Sequence, residues 1–179
     1  MKATGIVRRI DDLGRVVIPK EIRRTMRIRE GDPLEIYTDR DGEVIFKKYS
    51  PIGEWSQFAS QYAETLHKTC GLSVVICDRD AVIASAGVPK RDYADRRLIP
   101  EFDEIMDERS LYTYNGNSKI TVVEGAAQYV SCAMPIMANS DIIGCVASVV
   151  SDDTSLPREL PETKLIQTAA SFLGRQLED

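Results

Sequence analysis

Residues 5–36 read Gly5-Ile-Val-Arg-Arg-Ile-Asp-Asp-Leu-Gly-Arg-Val-Val-Ile-Pro-Lys-Glu-Ile-Arg-Arg-Thr-Met-Arg-Ile-Arg-Glu-Gly-Asp-Pro-Leu-Glu-Ile36, and the order of residue types here sets the architecture of the N-terminal part. Residues 5–10 are rich in β-branched side chains and are cut by Asp11-Asp12-Leu13-Gly14, a run of turn formers. A second short strand is expected over Arg15-Val16-Val17-Ile18. Pro19 stops it and suits the first position of a helix, where its missing N–H has no partner to lose. The helix runs from Lys20 to Ile28, with Ile22 and Met26 four apart on one face and the arginines largely on the others. Gly31-Asp32-Pro33 ends it. Two more strands follow, Leu34-Glu35-Ile36-Tyr37 and Val44-Ile45-Phe46-Lys47-Lys48, joined at Asp41-Gly42, a dipeptide that favours the positive φ of a tight hairpin turn.

Working outward from this stretch, the block formed by residues 1–50 is too small to be comfortable alone. A helix below roughly 12 residues is marginal in water. Four short strands and one such helix, without a disulfide or a metal, bury too small a fraction of their surface for a stable monomer. The apolar set Val17, Ile18, Ile22, Met26, Leu34, Ile36, Val44 and Phe46 cannot enclose a core within one chain. Oligomerisation is the remaining remedy, and these eight residues are the expected dimer core.

Charge separates the block from the rest. The 179-residue chain carries 23 Lys/Arg and 28 Asp/Glu, a formal −5. Residues 1–50 hold 12 basic against 9 acidic residues, or +3, and residues 51–179 hold 11 against 19, or −8. A basic head on an acidic body points to a polyanion-binding module attached to something else. The head prefers Arg to Lys, and the planar guanidinium suits phosphates and guanine edges. Arg8 and Arg9 point to opposite faces of a strand, Arg15 lies just past the Gly14 turn, and Arg23 and Arg24 sit on the helix exterior. The alternative is a solvated basic face. It loses ground because two-fold pairing would join each arginine with its copy into one surface, the footprint of a duplex binder.

Ser50-Pro51-Ile52-Gly53 has linker composition, which sets a boundary between a domain of residues 1–50 and one of residues 51–179. In the second, Trp55, Phe58, Tyr62 and Leu66 fall at helical spacing, and Leu165, Phe172 and Leu173 form a second stripe over residues 161–177. Between them, Leu72–Cys77 and Ala81–Ala84 read as one hairpin, Ser118–Val123 as a strand, and Tyr129–Ile136 with Ile142–Val150 as a further hairpin. Part of Asp92–Glu108 is expected to be helical. The fold class is α+β, an antiparallel sheet bracketed by terminal helices. Apolar stripes wider than one sheet face requires are expected to bury their surplus between subunits, turning dimers into a tetramer.

Chemistry of other kinds finds little support. The single histidine, His67, has no nucleophile motif such as Gly-x-Ser-x-Gly to serve, and is expected at terminal carbonyls of its helix. Glu101, Asp103, Glu104, Asp107 and Glu108 lack the histidine or the spaced acidic loop of a catalytic or calcium site and read as a solvated helix face. Cys70, Cys77, Cys132 and Cys145 show no Cys-x-x-Cys spacing and read as reduced thiols, Cys70 being the one with reactive potential. No catalytic residue, metal or cofactor is therefore expected. No apolar run approaches the ~20 residues of a membrane span, and the start has no signal-peptide pattern, so a cytoplasmic location without membrane contact is expected.

With those residues in view, the run from Gly5 to Ile36 closely resembles the N-terminal domain of the AbrB-type transition-state regulators of spore-forming bacteria, over about 45 residues without a gap. The resemblance implies an interleaved swapped-hairpin β-barrel dimer and carries that family's DNA-contacting arginines onto Arg8, Arg15, Arg23 and Arg24. Ala133-Met-Pro-Ile, the Asn139-Ser-Asp turn and Ile142-Ile-Gly-Cys-Val-Ala are similar to GAF domains. The implied protein is a transcription regulator of late sporulation genes, both activator and repressor. It would bind double-stranded DNA and carry a GAF-like regulatory and oligomerisation domain open to an unidentified small-molecule effector. The rival expectation is a small-molecule sensor, or an antitoxin-like module, whose basic head binds a protein.

Overall fold

The computed structural model describes residues 5–153 and 161–178 and divides the chain into two units, Met1–Tyr49 and Ser50–Asp179.

In the first unit Pro19 is the N-cap, not the first residue, of a six-residue helix, α1 (Lys20–Thr25). The helix stops short of Ile28 because Arg27 turns to a φ of 51° and the Ile28 N–H donates back to the Arg23 carbonyl at 2.7 Å. Such a left-handed residue closes a helix by satisfying its last carbonyls. β1 (Leu34–Thr38) and β2 (Val44–Lys48) pair antiparallel, with Leu34 opposite Lys48 and Thr38 opposite Val44. Their connection is the five-residue loop 39–43, not a two-residue turn. Asp39 Oδ1 accepts the N–H groups of Asp41 and Glu43 at 3.0 and 2.9 Å. Lys48 reaches back to Asp32 Oδ2 (3.3 Å) and to the Arg27 carbonyl (2.9 Å), tying the end of the hairpin to the segment after α1.

The expected first hairpin is corrected. Residues 5–10 and 15–18 flank a turn closed by a bond from the Gly14 N–H to the Asp11 carbonyl, with Gly14 at φ 77°, yet neither joins a sheet. A strand needs a partner edge, and these residues pair with neither β1 nor β2. Val7 is 86% exposed and Val17 72%. None of Val17, Ile18, Ile22, Met26, Leu34, Ile36, Val44 and Phe46 is buried in the single chain, and this unit holds 13 of the 15 exposed large hydrophobic residues among those described. So dense an apolar surface is a liability for a monomer.

The second unit is built on a five-stranded antiparallel sheet. In spatial order it runs β4 (Val82–Ala86), β3 (Val74–Cys77), β7 (Asp141–Val150), β6 (Tyr129–Ala138) and β5 (Tyr112–Thr113). Its helices are α2 (Pro51–Glu54), α3 (Ser56–Cys70), α4 (Lys90–Tyr93), α5 (Pro100–Asp107) and α6 (Glu162–Gln176). Alternation along the strands divides the core in two. Val74, Ile76 and Val146 pack with Ala59, Ala63, Ile166 and Ala169 of α3 and α6, while Val75, Cys145, Ala147 and Val149 pack with Phe102, Ile105 and Met106 of α5. Both faces of the sheet are thus covered.

One expectation fails in this unit. Ser118–Val123 is not a strand. It makes one bridge, Val123 to Leu98, and lays the fully buried Val122 and Val123 into the core, so it works as a cover, and the sheet edge beside β6 is the two-residue β5. The apolar stripes divide between the sheet and the outside, as a stripe wider than one sheet face requires. Leu66 (7% exposed) and Leu173 (1%) lie inside the core, because the inner side of each stripe is what seals the sheet. Leu165 is half-buried against the same core. Left toward the outside is an aromatic ridge across α3 and α6. Trp55 meets Phe58 edge-on at 5.7 Å between centroids, Phe58 lies 6.0 Å from Phe172, and Tyr62 stacks on Phe172 at 5.6 Å.

Candidate nucleic-acid interface

Arg8, Arg15, Arg23 and Arg24 are all exposed. Arg8 lies before the turn 11–14 and Arg15 directly after it. Arg23 and Arg24 occupy the last turn of α1, where positive charge complements the carbonyl end of the helix, and Glu21 complements the first turn. Consecutive helical residues point about 100° apart, so Arg23 and Arg24 present two directions rather than one. Arg9 is exposed as well, whereas Arg27 and Arg29 are half-buried. The described exposed arginines of this unit therefore gather on the N-terminal turn, on α1 and, with Arg40, on the hairpin loop.

One residue that the sequence presented only as a turn former takes a larger part. Asp11 Oδ1 accepts the backbone N–H groups of Leu13 (3.0 Å) and Arg15 (2.7 Å), and its Oδ2 accepts from Arg15 Nε at 2.8 Å. The Arg15 backbone N–H first, and the Arg15 guanidinium next, hold the Asp11 carboxyl below its ordinary range. The spacing of four between an acid and an arginine across an Asp–Gly turn was the available signal.

The other candidate groups are otherwise engaged. His67 Nδ1–H donates to the Leu72 carbonyl at 2.9 Å, just beyond the end of α3. Arg79 crosses to the acidic face of α5, 2.8 Å from Asp107 and 3.9 Å from Asp103. Cys77, Cys132 and Cys145 are buried and unbridged, and Cys70 is half-buried. Burial pushes the Cys77 and Cys132 thiols up, away from the reactive thiolate. Among the described residues no three His, Cys, Asp or Glu side chains gather as a metal site, and no helix is long and apolar enough to cross a membrane.

Residues 54–178 match the family model described as stage V sporulation protein T C-terminal, transcription factor. Over 180 aligned residues, covering 99% of each chain, the sequence is 53% identical to stage V sporulation protein T of Bacillus subtilis (strain 168). The chain belongs to the stage V sporulation protein T family. The N-terminal 28% of this family member is 65% identical to the transition state regulatory protein AbrB of the same organism, over 52% of that protein's length. Residues 7–54 also match the model described as antidote-toxin recognition MazE, bacterial antitoxin. The GAF domain/HD domain protein from Geobacter sulfurreducens superposes on 68% of the chain and 91% of its own, with a TM-score of 0.50 at 18% identity, so the second unit has the GAF fold.

Proposed function

We propose that this family member is a DNA-binding transcription regulator, acting in the cytoplasm as both activator and repressor of late sporulation genes and not as an enzyme. The observation that carries the reading is the coincidence of two things in one segment. The residues that are 65% identical to AbrB are those that bear four outward arginines on a net positive unit. Arg8, Arg15, Arg23 and Arg24 meet the duplex, where contacts to phosphates supply affinity and register and contacts to base edges supply sequence. Mapping the chain's binding sites across the genome of a sporulating culture tests this: enrichment at promoters of late genes is expected, and uniform coverage counts against it.

Self-association completes the molecule. Residues 1–50 form the interleaved dimer, and the eight apolar residues left open in the single chain fill its shared core. That domain, expressed alone, should sediment as a dimer at micromolar concentration, and unfolding should be concentration-dependent because the folded monomer is not stable. A folded monomer at that concentration counts against the interleaved dimer.

The domain of residues 51–179 pairs through the aromatic ridge of Trp55, Phe58, Tyr62 and Phe172, making a tetramer with a small-molecule effector as its regulator. A closed two-fold contact uses one ridge twice. Phe58→Glu with Phe172→Glu should halve the mass of the full-length assembly by light scattering and abolish its preference for tandem over single DNA sites, which depends on linkage alone. An unchanged mass assigns the ridge to the unit's own packing.

A second reading has an observation of its own, the match of residues 7–54 to an antitoxin model. There the basic head binds a toxin protein. Failure to bind any promoter, together with co-purification of a small partner encoded next door, favours it.

A further inference from the structure

Of the four interface arginines, Arg15 alone is held by another side chain among the described residues. The grip is at Nε, 2.8 Å from Asp11 Oδ2, and the side chain stays 70% exposed. The two terminal nitrogens, Nη1 and Nη2, have no partner among the described residues. The anchor is itself fixed, since Asp11 Oδ1 accepts the N–H groups of Leu13 and Arg15 at 3.0 and 2.7 Å. A guanidinium fastened at Nε presents its terminal nitrogens end-on as a pair of parallel donors. That pair matches O6 and N7 on the major-groove edge of guanine. A phosphate also accepts the guanidinium fork, but it is bound as well by a freely moving cation acting as a point charge, so it demands less of the side chain's orientation than a base edge does. Arg8, Arg23 and Arg24, unheld among the described residues, have that freedom. A carboxylate placed among them weakens the positive field, so a cap on the turn would be served better by Asn.

We propose that Asp11 is a positioning residue that sets sequence specificity, by holding Arg15 so that Nη1 and Nη2 read one guanine of the operator. The inference rests on the reading of residues 1–50 as the DNA-binding head.

The test uses the full-length chain and two duplex probes, one selected from a random pool by the parent protein and one unselected. Asp11→Asn keeps an acceptor for the two backbone N–H groups and removes the acceptor for Arg15 Nε. It should lower affinity for the selected duplex about tenfold, the scale of one good arginine–guanine pair. Affinity for the unselected duplex should stay within about twofold, and the salt slope should not move, since no phosphate contact is lost. In an Arg15→Ala background Asp11→Asn should add nothing. Replacing the guanine that is read with 7-deazaguanine should weaken the parent and leave Arg15→Ala unaffected. Equal losses on both duplexes, or an Asp11→Asn effect that persists without Arg15, overturn the proposal and leave the interface standing. An Arg15→Ala chain that binds both duplexes like the parent overturns the interface reading at Arg15 and this inference with it. Should Asp11→Asn fail to fold by circular dichroism, Asp11→Ser, whose hydroxyl still accepts a backbone N–H in such turns, replaces it in every arm.

Discussion

Gly174→Ala should cost about 3 kcal/mol or more of stability and lower the melting temperature by roughly 10 °C or more, although it replaces the poorer helix former with the best. Gly174 lies in α6 where the helix backbone rests on β6, and a Cβ there would enter the Met137 carbonyl oxygen at a separation no real Cβ shows. Both sides of the clash are backbone, so no side chain can swing away. Propensity alone favours Ala by up to about 1 kcal/mol, and packing must overcome that gain. Gly144→Ala should behave alike, because its Cβ would run into the Cys77 carbonyl on the neighbouring β3. Thermal unfolding followed by Trp55, the one tryptophan in the chain, reads both variants. A Gly174→Ala chain that melts at or above the parent temperature places α6 away from β6.

Those two glycines also mark where sequence reading stops. The β6–β7 hairpin was legible because Tyr129–Ile136 and Ile142–Val150 are apolar runs around Asn139-Ser140. Both turn residues adopt positive φ, 48° and 70°, as a tight hairpin turn demands. Its register was not legible. The pairing shifts between Val130 and Cys132 and again between Ile136 and Met137, and such bulges answer to neighbours from distant parts of the chain. The stripes on α3 and α6 were visible as periodicity, yet a stripe about 100° wide has an inner and an outer margin. Only the packed sheet decides that Leu66 goes in while Trp55 stays near the surface.

The head shows the same limit in a stronger form. Residues 5–10 and 15–18 carry the composition of strands, but composition cannot name the edge they pair with, and among the described residues they pair with neither β1 nor β2. The arginines were legible because charge and residue type are local properties. Asp11 was not, because an aspartate in an Asp–Gly turn explains itself as a turn former before its second oxygen is considered.

Replacing Arg8, Arg15, Arg23 and Arg24 together by alanine should lower affinity for duplex DNA at physiological salt by about 10³-fold or more, while the protein still folds and dimerises. The four side chains are exposed, and substitutions of that kind usually change stability by less than about 0.5 kcal/mol. Binding is where they matter, because each neutralised phosphate releases counterions. Two-fold pairing doubles the set to eight, so the slope of log affinity against log salt should lie near 0.9 times eight if all contact phosphates. It should lie near 0.9 times six if Arg15 in each chain reads a base instead. Single substitutions at Arg8, Arg23 or Arg24 should each take about two contacts from that slope, one per chain, and weaken selected and unselected duplexes alike. Fluorescence anisotropy over a salt series measures both quantities. A quadruple variant that keeps the parent slope moves the interface off this surface, to other basic side chains such as the Lys90, Arg91, Arg96 and Arg97 group.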